Sequence, residues 1–310
     1  MLNLFKRKSA GSPPSPTPLH QEAVLKAVAQ LELNTRRKLS SLLPGDRRSI
    51  LRGTGMQFSE FRPYEYGDDV RHISWSVTAR TQRPTVKIYE EERELNIVLA
   101  VDTSGSSLTG SGARRQGQFA EITMALGLSA LGAGDRVSLL GFASTPRWFL
   151  PARRSRPQFL AAVTRLLQEN LLGNPSDLRH TLLYLKRRLK HPSLVVILSD
   201  FLVPPFGPEL LTLTRRHDVL LVQGYEDSEK GVLPRFVMDA SDPETKRSFL
   251  VDGLSPGTKN RLADIFFQHR ENVAKTSLAS GAGYVCLSRQ DDYLRRLILF
   301  FKNRGHARTL

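Results

Sequence analysis

The chain after residue 94 alternates between short, continuously apolar runs and longer segments with helical periodicity. The apolar runs have the length of strands and lack the alternation of polar and apolar residues that burial of one face produces. We therefore expect strands that are covered on both faces of a sheet. The predicted strands lie at residues 95–101, 137–142, 194–199, 219–223 and 284–288.

The segments between these runs carry apolar residues three and four positions apart, the spacing of an amphipathic helix. Strands that alternate with helices predict an α/β fold with a doubly wound, mostly parallel sheet. Near the end, the segment from Phe236 to Asp252 predicts an antiparallel hairpin. The predicted helices lie at residues 115–131, 158–171, 177–190, 207–216, 257–280 and 290–304.

The residues before 94 do not follow this alternation. Residues 1–18 are basic and rich in proline and serine, which predicts a disordered tail. Residues 19–43 have the pattern of an amphipathic helix, and residues 53–93 are irregular, with many aromatic and paired charged residues. We therefore divide the chain into the tail, an N-terminal extension over residues 19–93, and an α/β domain over residues 94–304.

Positive charge is concentrated in two segments. The 310 residues include 45 Lys and Arg against 30 Asp and Glu, a net charge of +15. Residues 1–55 contribute +7 and residues 147–190 contribute +8, so these segments account for the whole excess. An acidic partner protein, nucleic acid or an anionic membrane would each complement such a surface. The second segment does not interleave aromatic and basic residues regularly, so base stacking is not indicated.

Three further features bear on the location of the protein. No apolar run approaches the roughly 18 residues that cross a bilayer. The basic N-terminus lacks the apolar stretch of a secretory signal. The single cysteine, Cys286, excludes an internal disulfide framework and a thiolate metal cluster. We expect a cytoplasmic protein. The apolar run Leu297–Phe301 fits a helix packed on the sheet, and peripheral membrane contact through it remains an alternative.

Oxygen-bearing side chains follow two of the predicted strands and open one predicted helix. Asp102, Ser104 and Ser106 come after the run at 95–101, Asp200 follows the run at 194–199, and Ser176 precedes a helix. Ligands in open α/β sheets bind beyond the carboxyl ends of the strands, where these side chains would meet. Two carboxylates and three hydroxyls suit Mg²⁺ or Mn²⁺. Each residue also has a simpler structural role, such as Ser176 as a helix N-cap.

The Asp-x-Ser-x-Ser order resembles the von Willebrand factor A domain and its metal-ion-dependent adhesion site. A second resemblance lies upstream, in the segment Gly67-Asp68-Asp69-Val-Arg71-His-Ile73-Ser74-Trp75, which is followed by Ala79-Arg80. This segment resembles the signature of the DUF58 family. Two positions differ from the usual patterns, because Ser74 stands in place of aspartate and Ser176 in place of threonine.

The resemblance implies a von Willebrand factor A-like domain and a function without catalysis. Proteins of this family are thought to work with MoxR-type AAA+ ATPases in the maturation or remodelling of other proteins. On that basis, this chain would be an adaptor whose metal site binds a carboxylate of a client protein or of the ATPase. The client itself is not identified by the resemblance.

Two other functions remain open from the sequence. The basic segments fit a binder of nucleic acid or of an anionic membrane. The two carboxylates also fit a metal-dependent phosphoryl-transfer enzyme, although no nucleophile or general base can be named. The block from Gly67 to Arg80 has a structural interpretation as well. In it, Asp68 and Asp69 cap turns and pair with arginines, and Trp75 packs against the sheet.

Overall fold

The computed structural model of this protein describes residues 26–35, 57–90, 95–105, 114–169, 175–241, 248–288 and 290–307. The strands are β1 (Gln57–Pro63), β2 (Thr85–Glu90), β3 (Asn96–Asp102), β4 (Arg136–Phe142), β5 (Pro146–Arg153), β6 (Leu194–Ser199), β7 (Asp218–Tyr225), β8 (Val237–Ser241), β9 (Ser248–Asp252) and β10 (Gly283–Ser288). The helices are α1 (residues 26–35), α2 (Trp75–Thr81), α3 (Arg114–Gly132), α4 (Arg156–Gln168), α5 (Leu178–Arg188), α6 (Gly207–Thr214), α7 (Pro256–Ala279) and α8 (Tyr293–Ala307).

Six strands form one sheet in the order β10-β7-β6-β3-β4-β5. All neighbouring strands in it run parallel except β5, which is antiparallel to β4 at the edge of the sheet. The predicted doubly wound, mostly parallel sheet is therefore confirmed. The predicted hairpin is also present, as the antiparallel pair β8 and β9.

Helices cover both faces of this sheet, which explains why its strands are continuously apolar. Leu99 of β3 faces a cluster built with α3, α4 and α8, whereas its neighbour Ala100 faces a cluster built with α5, α6 and α7. Both residues are fully buried. Leu297 and Ile298 of α8 are buried in the first cluster, so the apolar run near the C-terminus packs on the sheet. None of the helices within the described ranges is long and apolar enough to span a membrane.

Strand β5 was not predicted by the sequence pattern. Most of its residues are partly or fully exposed, and it contains Pro151. An edge strand with one neighbour buries fewer side chains, and proline is tolerated where a backbone N–H needs no partner. The apolar pattern that marks the central strands is therefore weak here.

The N-terminal extension is more ordered than its irregular sequence suggested. β1 and β2 form a separate antiparallel sheet, and α2 lies between them in the chain. More than twenty residues separate the two strands, so no hairpin signal marks them. Of the helix predicted over residues 19–43, residues 26–35 are described and are helical. Val28 packs in the core, and the Arg156 Nε donates a 2.7 Å hydrogen bond to Glu32.

The block from Gly67 to Arg80 agrees only in part with its structural interpretation. Asp69 accepts a hydrogen bond from the Arg71 N–H and pairs with its guanidinium, as predicted. Asp68 caps a turn as predicted, since it accepts a 2.9 Å hydrogen bond from the Glu65 N–H. Its arginine partner is Arg62 of β1, whose Nη2 lies 2.8 and 2.9 Å from the two carboxylate oxygens. The interpretation of Trp75 as a packed residue is wrong, because 71% of it is exposed. Trp75 begins α2, and most of its side chain faces solvent.

Candidate metal and docking site

Two acidic side chains leave adjacent central strands at the same edge of the sheet. β3 and β6 are parallel neighbours, Asp102 is the last residue of β3, and Asp200 directly follows β6. Ser176 lies just before α5 and reaches the same place. All three residues are almost fully buried, and the exposed fraction of Asp102 is 2%. Parallel topology thus brings together side chains that are far apart in the chain.

The Asp102 carboxylate is surrounded by serine donors. Its Oδ1 accepts a 2.9 Å hydrogen bond from the Ser104 N–H. Its Oδ2 accepts hydrogen bonds from the Ser176 hydroxyl at 3.0 Å and from the Ser199 hydroxyl at 2.6 Å. Ser176 can make this contact because Asp177 serves as the N-cap of α5, accepting from the Arg179 N–H. The alternative role of Ser176 as the helix cap is therefore wrong.

The Asp200 carboxylate has a different environment. Its Oδ1 accepts a 2.9 Å hydrogen bond from the Leu202 N–H, and its Oδ2 accepts one of 2.6 Å from the Arg115 Nη1. The backbone carbonyl of Asp200 accepts from Gln223 and lies 2.9 Å from the His269 Nε2. These contacts hold Asp200 in place from β7, α3 and α7 together.

Arg115 is a fully buried cation at the start of α3. One terminal nitrogen binds Asp200 and the other forms an ion pair with Glu229. Its side chain has no exposed surface. A buried guanidinium between two carboxylates compensates charges that would otherwise be costly to remove from water. No sequence pattern marks this residue, because the pair Arg114-Arg115 resembles the many other arginine pairs of the chain.

The surroundings of Asp102 disfavour its charged form. Burial, and then repulsion by the nearby Asp200, raise the pKa of Asp102 to about 6 from its ordinary value of 3.8. The hydrogen bonds from Ser104 and Ser199 favour the charged form but offset only part of this effect. A carboxylate in such surroundings gains from a nearby cation. Strongly shifted acids of this kind are concentrated at functional sites.

The structure brings four of the five predicted ligands to one place. Asp102, Ser104, Ser176 and Asp200 share the carboxyl edge of β3 and β6, whereas Ser106 lies outside the described residues. Their oxygens are the hard donors that Mg²⁺ and Mn²⁺ accept. Among the described residues, no three His, Cys, Asp or Glu side chains are grouped so that they could hold a metal ion. A metal here would therefore depend on the serine hydroxyls, and Asp200 would divide its carboxylate between the ion and Arg115.

Several polar residues of this cluster were not predicted as part of it. Ser199 ends an apolar strand, and Gln223 and His269 lie in segments that carry no recognisable motif. Ser199 connects Asp102 to the backbone that follows β6, because its hydroxyl donates to Asp102 and accepts from the Phe201 N–H. Its position next to Asp200 is the one sequence signal that could have indicated it.

A mostly parallel α/β sheet with this acidic, serine-lined site at the carboxyl ends of its central strands is the arrangement that the resemblance to the von Willebrand factor A domain implied. The family model described as "Protein of unknown function DUF58" matches residues 60–272. The chain belongs to the DUF58 family, as its signature segment indicated.

The chain is similar over most of its length to several relatives and solved structures. The uncharacterized protein Rv1480 of Mycobacterium tuberculosis is 30% identical over 285 residues, which are 90% of this chain and 89% of that protein. The conserved hypothetical protein BatB from Bacteroides thetaiotaomicron covers 68% of this chain and 99% of its own, with 10% identity and a TM-score of 0.42. The SpRpn10 VWA domain covers 66% and 94%, with 10% identity and a TM-score of 0.37.

Proposed function

We propose that this protein is a non-enzymatic adaptor that binds a partner protein at the carboxyl edge of its central sheet. The observation that carries this proposal is the buried Asp102 carboxylate, which lies among the hydroxyls of Ser176 and Ser199 and beside Asp200. The von Willebrand factor A-like fold suggests a role in protein interaction.

We propose further that a Mg²⁺ or Mn²⁺ ion takes part in this binding. Asp102, Ser104, Ser106, Ser176 and Asp200 are the residues that would hold it. A bound divalent ion would supply a Lewis-acidic centre to which a carboxylate of the partner could bind. The raised pKa of Asp102, which burial and the nearby Asp200 cause, supports this assignment, because a cation would favour the charged form of the carboxyl.

The resemblance to the DUF58 family supplies the proposed partners. We propose that the chain acts in the cytoplasm with a MoxR-type AAA+ ATPase and a client protein, during maturation or remodelling of that client. A complex of this protein with the ATPase should then form in Mg²⁺ and dissociate in a chelator. Analytical ultracentrifugation of the two proteins measures this directly. A complex that persists in the chelator would contradict a bridging metal.

The metal assignment predicts a clear difference in calorimetry. Mn²⁺ titrated into the wild-type protein should give a saturable heat, and Asp102→Ala should abolish it. Ser176→Ala removes one hydroxyl and should weaken binding by about ten-fold, the lower range for loss of a supporting group at a metal site. Thermal unfolding of each variant establishes that it is folded.

A matched control is Asp264→Ala, which removes an exposed carboxylate from α7. It should leave the heat of Mn²⁺ binding unchanged. Equal heats for the wild type, Asp102→Ala and Ser176→Ala would contradict the assignment of a metal to this site.

A further inference from the structure

A groove opens at the end of the sheet opposite to Asp102. Its volume is about 180 Å³, and it lies where β3 begins, at Asn96. Since parallel strands rise about 3.3 Å per residue, roughly 20 Å of β3 separates Asn96 from Asp102. The groove is therefore a separate place on the molecule from the site described above.

The walls of this groove are apolar and its rim is basic. Phe149, Pro151 and Leu189 are among the apolar residues that line it, and Arg188, Lys190 and His191 lie at its exposed side. Among the residues that the structure describes, no Asp or Glu lines the groove. The described lining thus combines an apolar surface with a basic rim.

The acidic residues of this basic segment are already paired elsewhere. Glu169 binds Arg147, and Asp177 binds Arg179. Within the part of the chain that the structure describes, neither Arg188 nor Lys190 forms an ion pair with an acidic side chain. Their charge is available to a ligand, and its attraction extends over about 8 Å at physiological ionic strength.

The loop that carries two of these basic residues is held in place. The Lys190 carbonyl accepts a 3.1 Å hydrogen bond from the Arg216 Nη2, and the His191 carbonyl accepts one of 2.8 Å from the Ser193 hydroxyl. Before it, the Leu189 N–H still bonds to the Leu185 carbonyl at the end of α5. The groove is preformed, which lowers the entropic cost of binding.

Two features favour a protein ligand over nucleic acid and membrane. The Arg188 guanidinium lies 5.2 Å from the centre of the Phe149 ring, and Arg165 covers Trp148 in the same way, so these rings do not offer open faces to bases. The large apolar side chains that line the groove, Phe149 and Leu189, are only partly exposed, so neither projects as an exposed side chain that could enter a bilayer. Peripheral membrane proteins usually insert such side chains.

We propose that this groove binds an acidic peptide segment of a partner protein. Carboxylates of the segment pair with Arg188 and Lys190, and a neighbouring apolar side chain packs against Pro151 and Leu189. The proposal does not depend on the function of the Asp102 site, since the groove contains no residue of that site. It gives the protein a second binding surface, as an adaptor between two partners requires.

The test is fluorescence anisotropy with the labelled peptide Glu-Glu-Leu-Asp-Glu-Phe-Glu-Asp. The double variant Arg188→Glu/Lys190→Glu should weaken its binding by at least about ten-fold, because like charges then face each other. A peptide with serine in place of leucine and phenylalanine should also bind more weakly. A chelator should have no effect on binding, which separates this result from failure of the metal site.

The matched control is Lys186→Glu/Arg187→Glu, on exposed residues of the same helix end that do not line the groove. It changes the net charge equally and should cost less than about three-fold in affinity. Equal losses in both double variants, or no binding of the peptide, would overturn the proposal. Single-stranded DNA or phosphatidylserine vesicles would be the better ligand if either bound more tightly than the peptide and if Arg188→Glu/Lys190→Glu abolished that binding. That result would also overturn the proposal.

Discussion

Replacement of Arg115 by methionine is expected to lower the free energy of unfolding by about 3–5 kcal/mol, the usual cost of removing one partner from a buried ion pair. Methionine keeps most of the length and volume of the side chain. It leaves Asp200, which is almost fully buried, and Glu229 without the guanidinium that now binds both. Urea unfolding followed by circular dichroism measures the difference.

The control for this experiment is Arg71→Met, which removes an arginine from an exposed ion pair with Asp69. Surface ion pairs contribute little, so its effect should stay below about 1 kcal/mol. If the two variants lose the same amount of stability, Arg115 is not the main compensation for the buried acids. If Mg²⁺ binds at the edge of the sheet, it should restore part of the stability of Arg115→Met, because the ion can then replace the missing positive charge.

Replacement of Asp102 by asparagine is expected to stabilise the metal-free protein at pH 8 by as much as about 3 kcal/mol. The pKa of Asp102 is about 6 in the folded protein, above its ordinary value of 3.8. The folded state therefore binds a proton more tightly than the unfolded chain, and this group lowers stability as the pH rises from about 4 to about 6. Asparagine cannot ionise, so the variant does not suffer this loss.

The stability difference between Asp102→Asn and the wild type should therefore be large at pH 8 and vanish near pH 4. Chemical denaturation of both proteins at the two pH values tests this. Other carboxylates, such as Asp68 and Asp177, have lowered pKa values and change stability in the opposite direction. They cancel in the comparison, since both proteins contain them. The exposed Asp264→Asn should change stability by less than about 0.5 kcal/mol at either pH. A wild-type protein that is as stable as Asp102→Asn at pH 8 would contradict the electrostatic cost assigned to this site.

These two predictions test the two halves of one charge cluster, the cation Arg115 and the acid Asp102. Arg115 compensates Asp200, and Asp102 keeps a charge that the fold stabilises only in part. Proteins accept such a cost where a group is needed for function. A site that loses stability to hold Asp102 charged is consistent with the proposed binding of a cation.

The sheet could be predicted from the sequence because its signals are local. The runs ending near Asp102 and Ser199 are continuously apolar, and each is followed by a segment with the apolar spacing of an amphipathic helix. Burial on both faces acts on each residue of such a strand in the same way, so the pattern is visible within six or seven positions. β1, β2 and β5 escaped prediction because their sequences lack a continuous apolar run.

By itself, the sequence determined the α/β architecture, the family, and the edge of the sheet where Asp102, Ser176 and Asp200 meet. Only the tertiary structure decided that Arg115 and Ser199 join them, that Trp75 is at the surface, and that a basic groove lies at the other end of the sheet. Arg115 is 85 residues from Asp200 in the chain. Periodicity along the chain records which side chains are buried, but the pairing of buried charges depends on which segments pack together, and no local pattern encodes that.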